Sequence, residues 1–316
     1  MAIQRILVTG GAGFVGANLT RVLLDSGYRV TVLDNLSAGN LTYLDGLDLE
    51  FVQGDILDAD LVNKVVREHD GIVHLAAQTG VPGSLVDPRR DCEVNVIGTL
   101  NMLEAARAEQ DRRGKQIRFV FASSNAPLGK QPPPATEDKA PLPISPYGAS
   151  KLAGEGYCLA YHGSWGLGTV VLRFANLYGP YSAHKNSVVA KFLKDIMTQG
   201  QITIDGDGGQ TRDFIYVGDL CRAILLALES EVSGQVFQIA TGVETSILEL
   251  AALVQEVVGR NVGVEHGPPR QGDIRKNYSG IRKVHIVLGW QPTTKLLAGL
   301  RQTVDWFSTS AYLLDS

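Results

Sequence analysis

The sequence predicts an α/β fold: a Rossmann-like doubly wound parallel sheet followed by a smaller C-terminal α/β domain for a substrate. Three observations predict it. Continuous apolar, β-branched runs alternate with stretches of helical spacing over the first 180 residues, the pattern of parallel strands covered on both faces. A glycine-rich turn separates the first such strand from the first helix. After Gly179-Pro180 that rhythm changes.

Taken in order, residues 5–8 read as a short buried strand, and 14–26 as a helix with Leu19, Val22 and Leu23 on one face. Strands follow at 29–33, 50–53 and 71–75. A helix over 96–108 leads to a strand at 118–122, and a helix over 147–165 to a strand at 169–174. Beyond 180, helices are expected at 188–199, 217–228 and 246–258, with a strand at 236–239. Ser246, with Glu249 three residues on, has the form of a capping box. Residues 205–213 and 267–273 read as loops, and the proline cluster 131–134 as a loop on the active-site side. The division is 1–180, with a returning segment near 211–240, and 181–316.

The chain has 316 residues, 44% of them hydrophobic and 20% charged, with 29 Lys plus Arg against 33 Asp plus Glu for a net charge of -4. A nucleic-acid partner would ask for a basic stripe, so none is expected. No apolar run approaches the roughly 18 residues of a membrane span. The start M-A-I-Q-R-I-L-V-T-G has no leader pattern, so a soluble cytoplasmic protein is expected. Cys92, Cys158 and Cys221 are scattered and odd in number, which reads as reduced thiols with no metal site.

The run T-G-G-A-G-F-V-G (9–16) places Gly10, Gly13 and Gly16 where a dinucleotide needs a tight turn, a close backbone approach to pyrophosphate and close helix–strand packing. Phe14 and Val15 open the helix whose N-terminus would face the phosphates. Asp34, at the end of the second strand, would accept from ribose hydroxyls and repel a 2′-phosphate, favouring NAD; the alternative is an exposed turn Asp. Asn35 follows it, and Asp55-Ile56 would cap the adenine unless Asp55 is merely an N-cap. Tyr147 and Lys151 lie four apart at a helix start, where an ammonium would lower the phenol's pKa and make it a usable base. Ser123-Ser124 ends the preceding strand at the edge where open sheets bind ligands. Alone, Y-x-x-x-K is a frequent accident; in this setting it reads as a Ser124, Tyr147 and Lys151 catalytic set.

These segments, with H-L-A-A (74–77), Asn95, L-R-F-A-N-L-Y-G-P (172–180), G-Q-T-R-D-F-I-Y-V-G-D (209–219), R-Q-G-D (270–273) and L-G-W (288–290), resemble the extended short-chain dehydrogenases/reductases. Within these the chain is most similar to the NAD-dependent nucleotide-sugar epimerases and dehydratases. The resemblance implies NAD contacts at Gly10, Gly13, Gly16, Asp34, Asp55, Ile56, Leu75, Ala76, Ala77, Asn95 and Lys151. It implies nucleotide-sugar contacts at Asn176, Arg212, Arg270 and Asp273, with Ser124, Asn125, Tyr147, Ser187 and Val188 completing the substrate set. Without it, Arg212 would read as a surface ion pair with Asp213.

Dehydratases of this family carry an Asp-Glu pair after the strand-end hydroxyl, and its decarboxylases a Glu at the second position. Asn125 and Ala126 stand there in this chain, and Ala126 carries no proton. This leaves a UDP-hexose 4-epimerase acting through a 4-keto sugar, with UDP-glucose and UDP-glucuronate as candidate substrates. The alternatives are a decarboxylase, a dehydratase or reductase, or a non-catalytic NAD sensor. Pro127-Leu128 replaces the family's aromatic, and Asn277 stands at the position that gates sugar size. His184, Lys185, Ser187 and Arg275 offer donors for a C6 carboxylate, or form a solvated loop. Family relatives are commonly homodimers, which sets the expectation here.

Overall fold

The computed structural model describes residues 3–269 and 274–309. Its centre is a seven-stranded sheet in which every pairing is parallel. Six strands come in chain order: β1 (Arg5–Thr9), β2 (Arg29–Asp34), β3 (Glu50–Gln53), β4 (Gly71–His74), β5 (Arg118–Ser124) and β6 (Gly168–Phe174). The seventh is Gln235–Ile239, which pairs with the outer edge of β6. From that edge the order runs seventh strand, β6, β5, β4, β1, β2, β3. The chain therefore winds outward from β1 through β2 to β3, then returns to the other side of β1 with β4. The reversal opens a crevice between β1 and β4, where α/β sheets of this kind take ligands.

Period-2 alternation explains why these strands read as unbroken apolar runs. Ile6 and Val8 face one core with Val73, Val120 and Val170, while Leu7 faces the other with Ile72, Phe119 and Phe121. The first core is closed by helices Phe14–Asp25 and Val217–Glu229, the second by Thr99–Arg113 and Pro146–Trp165.

A third core lies apart from the sheet. It gathers Phe192 and Ile196 of helix Val188–Gln199, Ile202 and Ile204 of strand Gln201–Asp205, and Leu250 and Val254 of helix Ile247–Val258. Leu300 and Phe307 of helix Leu296–Thr309 complete it. The capping box at Ser246 is formed, with Glu249 N–H donating to Ser246 Oγ at 3.1 Å and Ser246 N–H to Glu249 Oε2 at 2.7 Å.

The expected loop 205–213 differs from the structure. Strand Gln201–Asp205 ends in it and Thr211–Arg212 forms a short antiparallel pair with Thr245–Ser246. The expected helix over 96–108 is longer, running to Arg113 behind one π-helical turn, Glu93–Gly98. Among the described residues, no helix is long and apolar enough to cross a membrane.

Candidate active site

A cleft of about 430 Å3 runs along the carboxyl ends of β1, β2, β4, β5 and β6. Of the residues expected at a cofactor, Gly10, Gly13, Phe14, Val15, Gly16, Asp34, Asn35, Asp55, Ile56, Leu75, Ala76 and Ala77 all line it, together with Ser124, Tyr147 and Lys151. Asn176 and Ser187 line it too. They also border a second cleft of about 250 Å3, whose walls include Val188, Lys191, Thr203, Gln210 and Arg212. Arg270 and Asp273 lie outside the described residues.

The glycine turn is shaped by contacts that a side chain would not survive. Gly10 has φ +69°, and a Cβ there would stand 2.8 Å from Ala76 N. At Gly16 a Cβ would meet Gly10 O at 2.3 Å and Gly11 Cα at 2.4 Å, so the helix rests directly on the turn. No side chain caps this helix at Gly13, which leaves its first N–H groups for a ligand in the cleft. Asp34 is buried and accepts from Ala12 N–H at 3.0 Å and Leu36 N–H at 2.8 Å. Burial raises its carboxyl above the ordinary value against the pull of those two bonds. Two N–H donors do not exhaust a carboxylate, and the remaining lone pairs suit ribose hydroxyls. A side-chain-free turn, an open helix start and an acceptor at the second strand end together fit a dinucleotide. Asn35 donates to Asp55 Oδ2 at 3.0 Å, which ties the two strand ends that would flank the adenine.

Under the cleft floor a hydrogen-bond chain sets one histidine tautomer. Thr99 Oγ1 donates to Asn95 O at 2.7 Å, so His74 Nε2 is the donor to Thr99 Oγ1 at 3.1 Å. His74 Nδ1 then accepts from Thr9 Oγ1 at 2.8 Å. Thr9 Oγ1 in turn receives Ala76 N–H at 3.2 Å. Burial, with a contribution from the Lys151 charge, pushes His74 down to about 3, so the ring is a fixed neutral spacer.

Ser145 caps helix Pro146–Trp165, with Gly148 N–H donating to its Oγ at 3.1 Å. That helix presents Tyr147 and Lys151 to the cleft beside Ser124 at the end of β5. Desolvation pushes the Tyr147 phenol up to about 12, against the pull of a hydrogen bond with Ser124, and the charge of Asp91 adds to the rise. The net direction is therefore upward, opposite to the lowering expected beside Lys151, because burial outweighs it. Lys151 Nζ donates to Ala122 O at 3.0 Å and lies 5.0 Å over the Phe121 ring, and burial brings it down to about 8. Behind Ser124, Ser123 Oγ donates to Glu155 Oε1 at 2.5 Å. Arg173 pairs with the same carboxylate through Nε at 2.8 Å and Nη2 at 2.6 Å.

Two expected contact residues are turned elsewhere. Asn95 is buried below the cleft, and its amide brackets Gln78, accepting from Gln78 N–H at 2.8 Å and donating to Gln78 O at 3.0 Å. It therefore shapes the loop after β4 rather than facing the cleft. Asn125 donates to Ser279 Oγ at 2.9 Å and borders a separate small cavity with Asn277. Arg212 Nη1 donates to Thr211 O and Ile274 O, both at 2.7 Å. Asp213 is buried and accepts from the Thr241, Gly242 and Ser279 backbone N–H groups.

His184 and Lys185 join the main cleft, whereas Arg275 forms a two-point pair with exposed Asp207. Sequence reasoning missed Gln78, Thr79 and Arg90, which also line the cleft. Gln78 and Thr79 directly follow the H-L-A-A segment, and that adjacency was the available signal.

Fold and site together define a dinucleotide-dependent α/β enzyme with a Ser–Tyr–Lys set at the sheet edge. The chain belongs to the NAD-dependent epimerase/dehydratase family, whose model matches residues 6–240, and NAD is accordingly its cofactor. A UDP-glucose 4-epimerase of Mycolicibacterium smegmatis is 39% identical over 96% of this chain and 98% of its own. A dTDP-glucose 4,6-dehydratase of Streptomyces niveus is 38% identical over 96% of this chain and 93% of its own. Among solved structures, the UDP-glucose 4-epimerase of Thermotoga maritima with UDP-glucose superposes with a TM-score of 0.91 at 37% identity, covering 96% of this chain and 99% of that one.

Proposed function

We propose that this enzyme is a UDP-hexose 4-epimerase that inverts C4 of UDP-glucose or UDP-glucuronate through a transient 4-keto sugar. In this reading residues 1–180, with the returning segment 211–240, hold NAD, and residues 181–316 hold the UDP-sugar. The observation that carries it is the junction of the two clefts at Asn176 and Ser187, beside Ser124, Tyr147 and Lys151. Helix Val188–Gln199 begins there with no side-chain cap, and the Ser187 hydroxyl is buried without a hydrogen-bond partner among the described residues. A diphosphate would satisfy both, on a helix N-terminus. Arg212 in the second cleft, and Arg270 and Asp273 from the sequence, would complete the nucleotide contacts.

When bound, NAD supplies a reversible acceptor for the sugar C4 hydride. Tyr147 takes the proton of the 4-hydroxyl and later returns it. Ser124 holds that oxygen as hydroxyl and then as carbonyl, and Lys151 is the cation that offsets desolvation of the phenolate. Inversion then requires that the 4-keto sugar turn over in the cleft before Tyr147 returns the proton. Ala126, beside this centre, has no proton to give or take, which supports epimerisation over dehydration or decarboxylation. For the C6 group, Lys185 favours the uronate. Its amine is desolvated at the cleft wall, which lowers it below the ordinary lysine range, and a carboxylate would relieve that cost.

Proton NMR of the anomeric region, after incubation with UDP-glucuronate or UDP-glucose and no added NAD, tests the reading. UDP-galacturonate or UDP-galactose is expected, and Tyr147→Phe should abolish either. A UDP-pentose, or turnover that consumes added cofactor stoichiometrically, would refute it. The homodimer stays part of the proposal, supported by exposed Val86, Ile97 and Tyr157 on the helical face, and light scattering checks it.

A further inference from the structure

The short helix packed against the one that carries Tyr147 and Lys151 holds a carboxylate that the chemistry above does not use. Asp91, on helix Pro88–Cys92, is 2% exposed. Its Oδ2 accepts from Asn95 Nδ2 at 2.9 Å, while Oδ1 is buried without a hydrogen-bond partner among the described residues. The short helix packs against helix Pro146–Trp165. The same Asn95 amide reaches Ser150 Oγ at 3.1 Å, and Ser150 donates to Tyr147 O at 3.1 Å. One side chain thus links Asp91 to the first turn of the helix that carries both Tyr147 and Lys151.

A buried carboxylate with a half-filled set of acceptors is costly to keep. Orienting Asn95 does not require it, since Gln78 already holds both ends of that amide. A neutral side chain would also accept the Asn95 bond. What a carboxylate adds is charge.

The groups facing this charge can be followed element by element. On its own helix, Arg89 is exposed, and Arg90 turns outward to Asp55 and to Glu93 of the π-helical turn that follows. Helix Val81–Val86 brings no titratable side chain. Helix Pro146–Trp165 brings Tyr147, Lys151, Glu155 and Cys158. Of these, Glu155 is matched by Arg173, and burial holds the Cys158 thiol protonated. From β4 comes His74, already neutral. Lys151 is left as the cation that Asp91 faces, and the Asp91 charge also acts on Tyr147.

We propose that Asp91 is the positioning residue of the acid–base pair, a fixed buried anion that keeps Lys151 charged and, through Asn95 and Ser150, seats the first turn of the Tyr147 helix. Acting on both groups in the same sense, it holds each proton more tightly. The proposal rests on Tyr147 exchanging the C4 hydroxyl proton, as set out above.

The test is Asp91→Asn in the NAD-loaded enzyme. It keeps the size and the Asn95 bond and removes the charge. Both limbs of the pH profile of kcat should move to lower pH by about one unit, the scale of one nearby charge in a protein interior. Asp91→Glu, which keeps the charge, should leave the profile in place even if its height falls. Tyrosinate absorbance, with Tyr147→Phe as background, should show the Tyr147 midpoint moving down in Asp91→Asn. A folded Asp91→Asn with a lower rate but an unmoved profile and midpoint would overturn the proposal. Should that variant fail to fold, Asp91→Ser carries the same comparison. If the wild type epimerises no UDP-sugar, the reaction reading fails, while the tyrosinate titration still decides the role of Asp91.

Discussion

Replacing Glu155 by Gln removes one charge from the interior and almost no volume. In the native protein Glu155 and Arg173 are each nearly inaccessible, with side chains 3% and 4% exposed, and are joined through Nε at 2.8 Å and Nη2 at 2.6 Å. Arg173 Nη1 already lacks a partner among the described residues, so the guanidinium has little in reserve. A carboxamide would leave a buried cation with no counter-charge, and breaking such a pair costs about 3–5 kcal/mol. Against a typical stability of about 5–15 kcal/mol, a loss of that size is decisive. Urea unfolding followed by fluorescence would read it as a lower midpoint at unchanged slope. Removing both charges together, as in Glu155→Leu with Arg173→Met, should recover most of the loss, because the penalty belongs to the orphaned charge and not to the missing bond. A single Glu155→Gln variant within about 1 kcal/mol of wild type would refute the reasoning. Turnover should fall as well, since Ser123, which donates to Glu155, immediately precedes Ser124.

Other outcomes follow from the same geometry. Gly16→Ala drives a methyl into Gly10 O and Gly11 Cα, so the purified variant should release little or no NAD on denaturation while its far-ultraviolet circular dichroism stays near wild type. Asp70 is partly desolvated, but Lys115 and Arg113 and the Gln4 and Arg5 N–H groups hold its carboxyl far below the usual range. Its folded pKa is depressed, so its contribution is complete above the unfolded carboxylate value of about 4 and is lost as pH falls below it. Asp70→Asn should therefore destabilise the protein at pH 7 and flatten the acid limb of a melting-temperature profile. Ser246→Ala deletes half of the capping box and should cost about 1 kcal/mol, a small drop in melting temperature with turnover unchanged.

The sheet was legible because its strands announce themselves twice, by apolar content and by the glycine, Asp34 and Ser124 that end them. Strand Gly263–Gly267 carries no such signal. Its side chains are almost all exposed, and only pairing with Gln201–Asp205 makes it a strand. Most expected cofactor positions do meet in one cleft, since each sits at a strand end and the parallel sheet brings those ends to one edge. Side-chain direction was harder to read. Asn95 lies on a π-helical turn, so a spacing argument based on 3.6 residues per turn cannot say that it points at Gln78. Lys151 stands four residues from Tyr147 as the spacing requires, yet its amine is taken by Ala122 O, a strand carbonyl far away in sequence. Arg275 carries the right charge for a sugar acid but finds Asp207 first.

The place of strand Gln235–Ile239 also bears on how the molecule is made. When β6 has left the ribosome, six strands of the sheet exist, but the outer edge from Val170 to Phe174 has no neighbour. An unpaired edge of that composition invites wrong partners. The residue that closes it is Ile239, and before it emerges the helix Val188–Gln199 and strand Gln201–Asp205 must already have been synthesised. The central sheet is thus begun first and finished late. A nascent chain halted near residue 180 would carry every glycine of the cofactor turn and still be an unfinished sheet.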